Sequence, residues 1–109
     1  MKNNIEKIKA DCVTIMSPFW SSKLENFQKT TLQHMIRNFE KSENGFIDNF
    51  VKCANGETNS FTGMWFFDGH IFETLRAIGH FLEIKKDRYL EKKADEWIEI
   101  IADAQLDDG

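Results

Sequence analysis

A chain of 109 residues holds one domain at most, and its 41% hydrophobic and 29% charged content, with one Pro and 6 Gly, excludes disordered, collagen-like and low-complexity classes. Fourteen Lys and Arg against eighteen Asp and Glu give a net charge of −4. That balance argues against nucleic acid as a partner, because phosphate neutralisation needs clustered cations.

Residues 1–20 read as an irregular lead-in. They carry Lys2, Glu6, Lys7, Lys9 and Asp11, so they lack a signal-peptide core, and nowhere does the chain approach the roughly 20 apolar residues of a membrane span. Residues 3–10 suit a short helix, 12–15 favour an extended path, and Ser17-Pro18 turns the chain out of any helix. Cys12 and Cys53 fit no C-x-x-C pattern, which reads as two reduced thiols in a cytoplasmic protein.

Ser22-Lys23-Leu24-Glu25 has the form of a capping box, and Leu24, Phe27, Thr31, Leu32, Met35, Ile36 and Phe39 follow at helical spacing. A helix is therefore expected over residues 22–41, stopped by Asn44-Gly45. The stretch 46–67 reads as an irregular loop, punctuated by Asn55-Gly56 and Asn59-Ser60 yet rich in Phe and Trp. Such a loop packs on a bundle or lines a cleft rather than standing in solvent. Asp68 is expected to cap a helix over 68–83, and Asp87 one over 87–105; the short link between them predicts an αα-hairpin. The fold expected is all-α, with three main helices and one aromatic loop. With ten Phe, three Trp and one Tyr, it needs more cover than three helices supply.

Four segments occur in a suggestive order: Ser17-Pro18-Phe19-Trp20, Asp48-Asn49-Phe50, residues 68–75 (Asp68-Gly69-His70 through Leu75), and residues 100–109 ending Ala104-Gln105-Leu106-Asp107-Asp108-Gly109. Together they resemble the opening of glycoside hydrolase family 127, the β-L-arabinofuranosidase-like proteins, over nearly the whole chain. The resemblance implies the first helices of an (α/α)6 barrel, so that residues 1–109 form a single partial domain. A barrel of that kind takes on the order of 300 residues. It further implies hydrolysis of terminal arabinofuranosides in a longer parent, by a cysteine nucleophile bound to zinc. The family's zinc ligands are a Glu, a nearby Cys and an adjacent Cys pair lying downstream, and nothing in this chain matches them. No catalytic or metal-binding residue is therefore carried over, and zinc is expected only with the full-length family architecture. Many members have Asp-Ser-Asp and then Lys where this chain has Asp68-Gly69-His70 and Glu73. The departure changes what this helix start offers a sugar, so arabinofuranoside specificity does not carry over with the family.

The candidate binding residues follow from placement. Asp68 and His70 open a helix beside an aromatic loop, where they can hydrogen-bond sugar hydroxyls while Trp65 or Phe67 supplies a stacking face. The bland alternative makes Asp68 an N-cap and His70 a first-turn residue. Gln105 and Asp108 join the candidates because the resemblance puts that turn near the cleft. His34 and His80 are read as core or boundary histidines with a local partner, and no pair of histidines has metal-binding spacing. Two function classes remain: the N-terminal segment of a glycosidase with carbohydrate as the parent's partner, or a small non-catalytic helical interaction or carbohydrate-binding module. In either case self-association through exposed aromatic surface is expected.

Overall fold

In the computed structural model, which describes residues 6–109, every regular element is helical and no strand occurs among the described residues. The elements are α1 (Pro18–Asn26), a π segment (Phe27–Leu32), α2 (Gln33–Phe39), α3 (Phe46–Ala54), α4 (Phe67–Ile84) and α5 (Arg88–Asp103). Of the short helix expected over 3–10, residues 3–5 lie outside the described residues; residues 6–9 carry no helix, and a 3-10 turn follows at Ala10–Cys12.

Two expectations at the start of the first helix are corrected. Pro18 opens α1 instead of ending a helix, because at the first helical position its fixed φ is an asset and its missing N–H costs nothing. Ser22 therefore lies inside α1 and the capping box does not form; Ser17 occupies the N-cap position without a side-chain bond. The helix then widens into the π segment before continuing as α2. That change of pitch shifts the phase of the apolar stripe. Leu32, Ile36 and Phe39 are buried, whereas Thr31 and Phe27 are exposed.

The stretch 46–67 is not irregular throughout. Its first half is α3, and only residues 55–66 form the loop. Gly45 makes the junction at φ 76, a left-handed conformation that favours glycine. A Cβ there would also overlap the Thr62 carbonyl, so the loop is packed directly on this turn.

Asp87 caps α5 as expected, its Oδ1 accepting from the Tyr89 and Leu90 amides at 3.0 and 3.2 Å. Three residues link α4 to α5, and the two helices pack as a hairpin with α3 against both. The core takes Leu32 from the π segment, Ile36 and Phe39 from α2, Ile47 from α3, Ile71 and Ile78 from α4, and Leu90 and Trp97 from α5. Trp97, 1% exposed, donates its Nε1 proton to Glu40 Oε1 at 3.2 Å. The same oxygen accepts from Lys93 Nζ at 2.9 Å, which ties the end of α2 to α5. No described helix is long and apolar enough to cross a membrane.

Candidate functional site

The end of the molecule where α4 begins is built from the loop upward. Asn49, one turn into α3, donates from Nδ2 to the Thr62 carbonyl at 2.9 Å and accepts from the Thr62 amide at 2.9 Å. Lys52, paired with Asp48 at 2.8 Å, donates to Thr62 Oγ1 at 3.1 Å. Gly63, at φ 92, lets the Phe67 ring lie where a Cβ would stand. These bonds hold residues 55–66 against α3 and set the aromatic residues that follow.

Phe67 is the first residue of α4 and stacks on Phe46, with centroids 4.2 Å apart and 11° between planes. His70, one turn on, lies within reach of Phe66, Phe46, Phe67 and Phe39, with centroid distances from 5.9 to 6.4 Å. Its ring is nonetheless exposed. Trp65 is 83% exposed, and its ring contact is edge-on to Phe66 at 5.3 Å. Asp68 is not the N-cap, because the helix begins one residue earlier and Phe66 holds that position without a side-chain bond. The Asp68 carboxylate accepts from the Gly69 amide at 2.9 Å and is otherwise exposed, in the first turn where the helix dipole favours an anion.

Phe67 and His70 are therefore in ring contact, Trp65 meets that cluster through Phe66, and Asp68 shares no hydrogen bond with any of them among the described residues. Gln105 and Asp108 share no hydrogen bond with them among the described residues. The Gln105 amide bonds back to the Ala102 carbonyl at 3.1 Å, and residues 106–109 form a turn closed by Gly109 N–H to Leu106 O at 2.8 Å. This end of α5 is fastened to α3 through the Cys53 thiol, 3.6 Å from the Ala104 carbonyl. His34 and His80 are both exposed rather than at a boundary; His80 Nδ1 lies 3.6 Å from Glu83.

Sequence reasoning missed Asn49 and Phe46 as parts of this site. The signal was present, since Phe46, Ile47, Phe50 and Ala54 recur at helical spacing and put Asn49 on the edge of that face. For zinc, the donor set does not fit: among the described residues no three His, Cys, Asp or Glu side chains converge, and the Cys12 and Cys53 thiols have different partners, Asp11 and the Ala104 carbonyl. No chemical step is assigned to a metal on these residues.

A concavity lies elsewhere. A cleft of about 740 Å³ opens at the other end of α4, between the lead-in, α1 with the π segment, and the α4–α5 link.

No curated protein and no solved structure matches the chain. A family model does, over residues 12–109: that of the β-L-arabinofuranosidase, GH127 catalytic domain. With nearly its whole length matched and an all-helical fold to go with it, the chain belongs to the GH127 β-L-arabinofuranosidase-like family of glycoside hydrolases.

Proposed function

We propose that this chain forms the opening helices of a glycosidase catalytic domain, and that its longer parent hydrolyses terminal glycosides. The family match over residues 12–109 carries this reading. The chain's own share of the work is to hold sugar, since its residues offer no zinc-cysteine centre. Trp65 presents an open indole face a few residues before the exposed Asp68 and His70. A sugar ring uses that combination, laying its C–H face on an aromatic and its hydroxyls on polar groups. Phe67 serves as floor, because Phe46 covers one of its faces. Gln105 and Asp108 are the further hydroxyl partners in the longer protein. The unpaired, exposed thiols of Cys12 and Cys53 support a reducing, cytoplasmic location.

The test is to express the complete source reading frame beside this chain and assay both on a panel of aryl glycosides that includes the β-L-arabinofuranoside. Hydrolysis by the longer protein alone is expected, with Trp65→Ala lowering its kcat/KM by about tenfold. A reading frame that closes at Gly109, with a chain that binds sugar but cleaves nothing, would replace the enzyme reading by the non-catalytic module.

A further inference from the structure

We infer that the chain carries a second carbohydrate-contacting site, in the cleft at the end of α4 opposite Trp65 and His70. The ligand class rests in part on the glycosidase reading above; the site itself rests on its own geometry.

The cleft's walls are fixed. The 3-10 turn Ala10–Cys12 packs on α4, and Ser21 Oγ donates to the Ile15 carbonyl at 3.1 Å, which pins the lead-in against α1. On the other side Phe27 stacks on Phe81, centroids 5.7 Å apart. Gln28 Nε2 donates to Asp87 Oδ2 at 3.1 Å, so the carboxylate that caps α5 also holds the π segment. A six-residue π segment is rare in a helix, and such turns are found frequently at functional sites. Here it forms one wall of a cleft whose volume of about 740 Å³ suits a small-molecule ligand.

The lining says which ligand. Asp11, Glu25 and Asp87 face the cleft with Lys29, Lys85 and Lys86, so acceptors and donors balance and no net charge selects an ion. Glu25 stays ionised, its carboxyl held below the usual range by the hydrogen bond from Lys29. Val13, Ile15, Leu24, Phe81 and Ile84 supply the apolar remainder. A neutral oligosaccharide meets both halves: hydroxyls donate to carboxylates and accept from ammonium groups, and ring C–H faces cover the aliphatic and phenyl wall.

The test is a titration of the ¹⁵N-labelled chain with neutral arabinotriose, followed by amide shifts. Saturable shifts are expected in residues 24–29 and 84–87, weakened about fivefold in K85A/K86A, whose exposed side chains hold no part of the core. Trp65→Ala leaves these shifts in place. Absent cleft shifts, shifts indifferent to K85A/K86A, or tighter binding of an acidic uronate trimer would overturn the inference. Shifts confined to Trp65 and His70 would sink this site while sparing the first; shifts confined to the cleft would do the reverse.

Discussion

Asn49 and Thr62 form a reciprocal pair, the side-chain amide of one donating to and accepting from the backbone of the other at 2.9 Å each way. One asparagine thus does for the loop what a neighbouring strand would, satisfying two backbone groups that residues 55–66 cannot pair among themselves. The aromatic residues of the candidate sugar site begin three positions further on, so their placement depends on this bond. Asn49→Asp keeps the size, removes the donor and sets a carboxylate against a carbonyl. We expect it to cost about 2 kcal/mol in urea unfolding and to speed amide exchange at Thr62. Unchanged exchange there would mean that other contacts hold the loop.

The glycines divide into three cases that can be measured against each other. Gly45→Ala meets both a left-handed backbone and the Thr62 carbonyl, and should cost about 3 kcal/mol. Gly56→Ala shares the positive φ but opens onto free space, so about 1–2 kcal/mol is expected. Gly79 lies inside α4 with nothing near its Cβ direction, and Gly79→Ala should stabilise by about 0.5–1 kcal/mol. Equal losses for Gly45→Ala and Gly56→Ala in denaturant titrations would show that the loop yields at no cost.

Much of this was legible beforehand, and the failures share a cause. The Asp87 cap and the α4–α5 hairpin follow from local chemistry, and both are present. The α3 helix was hidden because Asn49 and Lys52 look like loop residues until Thr62 is seen to need them; their partners are 13 and 10 residues away. The π segment leaves no mark in a pattern read at 3.6 residues per turn, since Leu24, Phe27, Thr31 and Leu32 fit an ordinary helix equally well. The cleft was invisible for a related reason. Its walls come from residues near 11–15, 21–29 and 81–87, which only tertiary packing brings together.

The Lys93 cluster predicts how stability responds to pH. Hydrogen bonds to Glu96 first and then Glu40 raise the Lys93 ammonium above its ordinary range, and the bond from Lys93 holds the Glu96 carboxyl below its own. A depressed carboxyl contributes stability that is present above its unfolded value, near 4.5, and lost as pH falls through the lower folded value. The raised lysine contributes below 10.5 and loses that contribution only as pH climbs past its folded value. Melting temperatures should therefore separate wild type from Glu96→Gln at pH 7 and converge as the pH drops below 4. A constant gap across that range would assign the difference to packing.

The last prediction concerns surface. The chain exposes 8696 Å², where a folded monomer of its mass exposes about 6,300 Å². Its radius of gyration is 17.1 Å against about 13 Å for a chain of this length. The excess, roughly 2,400 Å², is about three times what one partner buries in a standard interface. Large apolar side chains stand in it: α1 buries none of its residues, and Phe19 and Trp20 are each 60% exposed on it. In the longer parent we propose, further helices cover this surface. The isolated chain has only copies of itself, so its mass by light scattering should rise with concentration, and an apolar-surface dye should bind. Phe19→Ser with Trp20→Ser should lower both signals without unfolding the core, to which α1 contributes nothing. A clean monomer that binds no dye would show that this surface is compatible with water as it stands and needs no further helices to cover it.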